Sequence, residues 1–150
     1  MRLKTKLSKY NFNPETGTST VILKTKRGYF TGTAKVHPDD KCVQSQFFGF
    51  RTAELKAKRK IYKEELKREK IALEAIERMQ RDLEKNIHDT GSYDGYVIVI
   101  FSIRKRFYFM RRNHKNNINF LKSEIEAINN VLKEDKENLK KIKEKKGSKA

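Results

Sequence analysis

In the first quarter of the chain, short apolar, β-forming stretches are separated by polar, turn-forming residues, which is typical of β-strands. β-forming residues stand at 21–23 and 29–30, on either side of Lys26-Arg27-Gly28. Because glycine tolerates the positive φ of a tight turn, residues 18–36 predict a β-hairpin. Residues 3–7 alternate between apolar and polar with a period of two and predict a further edge strand, joined to the hairpin by turn-forming residues at 13–17.

From about residue 52 the apolar residues recur with a different spacing. Alternating steps of three and four from Leu55 meet an apolar residue at seven of ten positions up to Ile87, and neither Gly nor Pro interrupts the stretch. This is the period of an amphipathic α-helix. Gly91 stands where a left-handed C-cap is expected, and the aromatic residues at 47–50 end the preceding loop. The sequence therefore predicts a long helix over 52–90.

The stretch that follows this helix predicts strands. Residues 96–101 are β-branched or aromatic throughout, which is typical of a strand buried on both faces. A turn at 104–106 and a second strand at 107–110 complete a hairpin. Because two strands alone do not form a stable sheet, we expect this hairpin to join the amino-terminal strands.

Residues 116–146 predict a second long helix with a heptad seam. Steps of three and four from residue 118 to 142 meet apolar residues at every position except Asp135. So small a sheet cannot cover the apolar stripes of two long helices, so we expect them to pack on each other or on a second copy of the chain, as a homodimer. The seam residues are Ile118, Leu121, Ile125, Ile128, Leu132, Leu139 and Ile142.

These elements together predict an α+β fold. We expect a small antiparallel β-sheet head and two long amphipathic helices that form an antiparallel coiled-coil-like hairpin. Along the chain, the prediction is a head at 1–51, a first helix at 52–90, strands that join the head sheet at 91–112 and a second helix at 113–150. All four segments belong to a single domain with a helical arm.

The charge balance narrows the classes of partner. The chain has 36 Lys and Arg against 19 Asp and Glu, a formal net charge of +17 in 150 residues. Such an excess repels itself, and contact with a polyanion is its ordinary explanation. The longest uncharged stretches reach about half of the ~20 residues that span a bilayer, and no apolar stretch follows the basic start of the chain. We therefore expect a soluble, cytoplasmic protein with no membrane partner.

Clustered cations are the candidate phosphate-binding residues. Residues 103–115 hold six cations and no acid, interleaved with aromatic residues that suit either base stacking or the core. The hairpin tip is a weaker cluster, and residues 1–36 as a whole carry eight basic groups against Glu15 alone. A stripe on the first helix is explained equally well by helix solvation. The candidates are Lys24, Lys26, Arg27, Lys56, Arg59, Lys60, Lys63, Lys67, Arg104, Lys105, Arg106, Arg111, Arg112 and Lys115.

Catalytic and metal-binding patterns are weak. His37, Asp39 and Asp40 are too few for a convincing metal or acid/base site, and a turn explains them more simply. Cys42, the single cysteine, has no nearby histidine base and no partner for a disulfide. The sequence has neither a Gly-rich phosphate loop nor a nucleophile elbow. We expect a protein that is not an enzyme and that uses no cofactor or metal.

One segment resembles a known module. Thr-Gly-Thr-Ala-Lys-Val-His-Pro-Asp-Asp at 31–40, then Ser45, Gly49 and Ala-Glu-Leu-Lys-Ala at 53–57, is similar to small uncharacterised proteins of Firmicutes phages and prophages. In those proteins a strand ending in a G-x-A-x-x-x-P-x-D loop precedes a helix rich in Ala, Lys and Arg. The resemblance covers about 30 of the 150 residues. It implies a phage-encoded protein in the host cytoplasm and no particular activity.

Three functions remain open from the sequence. The first is a non-catalytic protein that binds the phosphate backbone of DNA or RNA. The second is a phage inhibitor of the anti-CRISPR kind, which binds a host nuclease or the guide RNA of a ribonucleoprotein. The third is a coiled-coil scaffold subunit assembled through the seam at 118–142. Binding that weakens steeply with salt distinguishes the first from the others.

Overall fold

The computed structural model of the protein describes residues 3–35, 43–90 and 97–147. Within them the elements are strands β1 (Lys6–Asn13), β2 (Thr18–Thr25) and β3 (Gly28–Lys35), then helices α1 (Val43–Thr90) and α2 (Val97–Gly147). The strands form one antiparallel sheet in the order β1-β2-β3. The predicted α+β class, a small antiparallel sheet followed by two long helices, is confirmed.

Both turns of the sheet use the chemistry that the sequence predicts. In the first, Asn13 Oδ1 accepts a hydrogen bond from the backbone N–H of Glu15 at 2.9 Å, and Gly17 takes a left-handed φ of 61°. In the second, the Thr25 hydroxyl donates to the carbonyl of Gly28 at 3.2 Å, and Gly28 has a φ of 136°. Side-chain capping and glycine at positive φ are the usual means of closing such turns.

A β-bulge decides which side chains of β1 share a face. The register shifts between Leu7 and Lys9, so Lys6 pairs with Lys24 and Lys9 pairs with Ile22. Paired residues lie on the same face, so both β1 lysines lie on one face, which we call the outer face. The opposite, inner face carries the buried side of the sheet, formed by Ser19, Val21, Leu23, Phe30, Gly32 and Ala34.

Small residues let α1 approach the inner face closely. Ala53 and Ala57 are fully buried in one core with Val21 and Leu23. A Cβ added at Gly32 would overlap the carbonyl oxygen of Ala53 and lie 2.6 Å from the amide nitrogen of Ala57. The helix backbone therefore rests almost directly on β3, and this close approach positions the sheet on α1.

Contact density divides the chain into two compact units. The first comprises Met1–Lys63 and Ser123–Ala150, and therefore holds the sheet, the start of α1 and the end of α2. The second, Glu64–Lys122, holds the rest of α1 and the start of α2. Each unit thus contains a piece of both helices.

The two helices run antiparallel inside each unit. In the first unit, Arg59 Nη1 donates to Asn129 Oδ1 at 3.0 Å, and the Tyr62 hydroxyl hydrogen bonds to Glu124. Residue numbers therefore rise along α1 as they fall along α2. The second unit repeats this order, since Glu69 meets His114 at 2.6 Å and Gln80 meets Arg111 at 3.1 Å. These contacts confirm the predicted antiparallel helix hairpin.

The strands predicted at 96–101 and 107–110 are wrong within the described residues. α2 begins at Val97 and continues without interruption, so the turn predicted at 104–106 is helical as well. β-branched and aromatic residues favour a strand only where a neighbouring strand packs against them. Here Ile100, Ile103 and Phe107 are instead half-buried at helical spacing.

Three other predicted boundaries shift. α1 begins at Val43 rather than at 52 and therefore includes Phe50. The ring of Phe50 packs edge-to-face on Tyr10 of β1, with 4.9 Å between ring centroids. β1 overlaps the strand predicted at 3–7 only at its start. α2 contains the helix predicted at 116–146 and extends well before it. The predicted 37–40 loop, Cys42 and the cap at Gly91 lie outside the described residues.

The burial of Tyr62 beside Glu124 makes stability depend on pH. Burial and the neighbouring Glu124 carboxylate raise the pKa of Tyr62 above its ordinary value of 10.0. The folded protein therefore holds this proton more tightly than the unfolded chain. The resulting stabilisation is complete below pH 10 and is lost as pH rises through the raised pKa.

We expect Tyr62→Phe to lose less free energy of unfolding than the native protein between about pH 9 and about pH 11.5. Urea denaturation of both proteins at each pH measures the difference, and the paired comparison cancels the titration of the lysines. An equal loss in the two proteins would contradict this assignment.

Candidate nucleic-acid interface

The outer face of the sheet is basic and mostly exposed. Its four lysines, Lys6, Lys9, Lys24 and Lys35, are all exposed. The three strands contain no Asp or Glu. Hydroxyl and amide groups fill most of the remaining positions and can donate hydrogen bonds to phosphate oxygens. The other residues of this face are Asn11, Asn13, Thr18, Thr20, Ile22, Tyr29, Thr31 and Thr33.

One row across the sheet concentrates the charge. Lys6, Lys24 and Tyr29 are direct partners on the three successive strands. Like charges placed opposite each other on neighbouring strands are destabilising. The Lys24 ammonium lies 5.6 Å from the centroid of the Tyr29 ring, which offsets part of that cost. A bound anion between the two lysines would offset the rest.

Protection of sheet edges does not account for all of these lysines. Lys6, Lys9 and Lys35 lie on the edge strands, where lysine discourages pairing with other chains. Lys24 lies on the central strand, which has no free edge. Edge protection therefore does not account for its charge.

The hairpin tip extends the basic outer face. Lys26 and Arg27 are exposed, and the turn is fixed because the Arg27 backbone N–H donates to Thr25 Oγ1 at 3.1 Å. Both cations thus lie next to Lys24, as the sequence predicts for a basic tip. We call Lys6, Lys9, Lys24, Lys35, Lys26 and Arg27 together the basic sheet face.

Two predicted phosphate-binding lysines of α1 contact the edge of the sheet. Lys56 Nζ donates to the carbonyl of Thr33 at 3.0 Å, and Lys60 Nζ donates to the carbonyl of Thr31 at 2.7 Å. Both carbonyls belong to the edge strand β3, so the lysines satisfy backbone acceptors that this edge leaves open. These ammonium groups are therefore engaged within the chain.

Of the other three candidate cations of α1, one is hydrogen-bonded to α2 and two are exposed. Arg59 is held by Asn129 across the helix pair. Lys63 and Lys67 are exposed and have no hydrogen bond or ion pair to another described residue. The predicted basic stripe of α1 thus keeps only two free cations among its five members in the described structure.

The cationic block at 103–115 lies on a helix, so its cations point to different sides. Arg111 points toward α1, where its guanidinium lies 3.6 Å from Glu77 and donates to Gln80 at 3.1 Å. The other five cations are exposed and make no ion pair with a described residue. They are Arg104, Lys105, Arg106, Arg112 and Lys115.

Sequence reasoning did not select three residues that the structure brings into the basic sheet face. Lys6, Lys9 and Lys35 are ordinary strand lysines by pattern, and strict alternation would place Lys6 and Lys9 on opposite faces. Only the bulge unites them. The one available signal was the scarcity of acids in residues 1–36, where Glu15 is the single acidic residue.

The described part of the predicted seam is covered within one copy of the chain. Leu121 is fully buried, Ile118 and Ile128 are nearly so, and Ile125 and Leu132 are half-buried. A second copy is therefore not needed to shield these residues. The side chains of Leu139 and Ile142 lie outside the described residues, and the homodimer stays a prediction.

The described residues offer no cluster of His, Cys, Asp and Glu that would hold a metal ion. None of the described helices is long and apolar enough to cross a membrane. No known protein family, curated protein or solved structure matches the chain. The resemblance of residues 31–57 to small phage proteins therefore stays a prediction.

Proposed function

We propose that this protein is a non-catalytic, nucleic-acid-binding protein that contacts phosphate backbones through the basic sheet face. The carrying observation is the placement of Lys24 on the central strand, directly opposite Lys6 and on a face whose strands have no acidic residue. Counterion release from a neutralised polyanion is the ordinary source of binding energy for such a surface.

The surrounding groups support the same ligand. Threonine hydroxyls and asparagine amides lie between the lysines on the outer face. Such neutral donors commonly contact phosphate and sugar, and they position a protein without reading sequence. We therefore expect binding that depends little on base sequence, in a protein that is phage-encoded and acts in the host cytoplasm.

Salt titration tests this proposal. If the four outer-face lysines each neutralise one phosphate, affinity for a 20-base-pair DNA duplex falls by about 100-fold between about 50 and 200 mM NaCl. Fluorescence anisotropy of a labelled duplex measures the dissociation constant at each salt concentration. An RNA duplex of the same sequence is the parallel probe. Binding that is unchanged over this range, or absent at low salt with both probes, would overturn the proposal.

An inhibitor that binds a host nuclease is the outcome to expect if free nucleic acid is not bound. A pull-down from host lysate, with and without nuclease treatment, separates the two. If the host nuclease stays bound after nucleic acid in the lysate has been digested, and the protein has no affinity for either duplex, the partner is a protein instead.

A further inference from the structure

The start of α2 carries a second cationic surface, in the other unit of the chain. Between residues 97 and 122 there are seven Lys and Arg and no acidic residue. The side of the helix that faces α1 is fixed by contacts and burial: Arg111 and His114 meet side chains of α1, and Leu121 is fully buried. The remaining cations must therefore lie on the rest of the helix surface.

Five residues form a stripe away from α1. At about 100° per residue, positions 101, 105, 108, 112 and 115 fall within about 80° of one another, centred about 120° from the side that faces α1. Every one of them is exposed. We call this set the outer stripe; it comprises Phe101, Lys105, Tyr108, Arg112 and Lys115.

Large aromatic side chains on this stripe are unusually open. Phe101 is 65% exposed and Tyr108 is 61% exposed. Phe109 lies beside the stripe at 47% exposure, and its ring meets Tyr108 edge-to-face at 5.7 Å. The three cations of the stripe have no hydrogen bond or ion pair to another residue that the structure describes. Both kinds of side chain are thus free for a ligand.

The order of residues argues against a membrane surface. A helix that lies in a bilayer interface separates an apolar face from a charged face. On the outer stripe, aromatic residues and cations alternate along the same line, so inserting Phe101 and Tyr108 would carry Lys105 with them. A ligand that itself alternates flat apolar groups with anions matches this arrangement.

We propose that the outer stripe binds single-stranded nucleic acid, with unpaired bases stacked on Phe101 and Tyr108 and phosphates at Lys105, Arg112 and Lys115. Base stacking on aromatic side chains combined with a cationic track is how single strands are bound without sequence preference. A duplex hides the faces of its bases and leaves only the phosphates to the stripe. The inference rests on the proposed function and adds that the protein prefers single-stranded nucleic acid to a duplex at this stripe.

The first test uses double leucine variants of the full chain. We expect Phe101→Leu/Tyr108→Leu to weaken binding of labelled dT20 and rU20 by about 10-fold or more, with binding of a 20-base-pair duplex changed by less than about twofold. Phe47→Leu/Phe48→Leu, which removes two exposed aromatic residues elsewhere, is the matched control and should bind as the native protein does. Circular dichroism confirms that each variant is folded.

A tryptophan reporter tests stacking directly, because the native chain has no Trp. We expect the fluorescence of Tyr108→Trp to be quenched by dT20 and little changed by the duplex. Phe47→Trp should respond to neither probe. These spectra distinguish stacking from a loss of affinity through misfolding.

The outcomes separate the two proposals. Unchanged dT20 binding in the leucine variant, with the salt dependence retained, overturns the outer stripe and leaves the basic sheet face standing. Equal losses for single strands and duplex also overturn it. Native protein that binds neither dT20 nor duplex overturns both proposals. Binding to anionic vesicles in place of dT20 identifies the stripe as a membrane surface and overturns the inference.

Discussion

Gly32→Ala should destabilise the protein by about 3 kcal/mol or more, the upper part of the range for overpacked cores. The added methyl group would overlap the carbonyl oxygen of Ala53 and crowd the amide nitrogen of Ala57. Both are backbone atoms, which cannot rotate away as a side chain can. α1 must therefore move off the sheet, which separates Ala53 and Ala57 from Val21 and Leu23 in the shared core.

Urea denaturation followed by circular dichroism measures this loss. Thr33→Ala is the matched control, because Thr33 is exposed on the same strand and its carbonyl, the acceptor for Lys56, is retained. Exposed substitutions of this kind stay within about 0.5 kcal/mol of the native protein. If Gly32→Ala were no less stable than Thr33→Ala, the close approach of α1 to β3 would be wrong.

Neutralising the basic sheet face should have the largest effect on binding. We expect the quadruple variant Lys6→Gln, Lys9→Gln, Lys24→Gln and Lys35→Gln to lower duplex affinity by at least about 100-fold at about 100 mM NaCl. Each lysine that neutralises a phosphate contributes about 0.7–0.9 to the slope of log affinity against log salt, so that slope should also flatten by about 3. Anisotropy titrations at several salt concentrations measure both quantities.

The control removes the same charge from elsewhere. Lys133, Lys136, Lys140 and Lys141 are exposed on α2, and replacing them with Gln lowers the net charge equally. Lys133 is the one with a described ion pair, 4.0 Å from Glu137, and it is too exposed for that pair to matter to stability. If both quadruple variants lost affinity equally, net charge rather than the basic sheet face would govern binding.

The hairpin of β2 and β3 and the two turns of the sheet are well predicted because their signals are local. The two turns depend on glycines at positive φ and on side chains that cap their own backbone within three residues. The amphipathic periods of α1 and of the later part of α2 are also local, and helix pairing follows because each stripe needs cover. These features required no knowledge of distant contacts.

The helix at the start of α2 is missed by sequence periodicity because two half-buried positions there are polar. Steps of three and four back from Ile118 pass through 114, 111, 107, 103 and 100, and each of these residues is half-buried. A search for apolar residues fails at His114 and Arg111. Their polarity is tolerated because Glu69 and Glu77 on α1 meet them. Sequence alone does not pair residues that lie so far apart in the chain.

The sequence by itself determined the amount of charge, the two hairpin turns and the helical stripes, since each depends on neighbouring residues. Tertiary structure decided which cations are free. The bulge in β1 gathers Lys6 and Lys9 on one face, β3 carbonyls engage Lys56 and Lys60, and α1 holds Arg111. The physical reason is that a charge becomes available to a ligand only when no partner in the folded chain satisfies it, and those partners are distant in sequence.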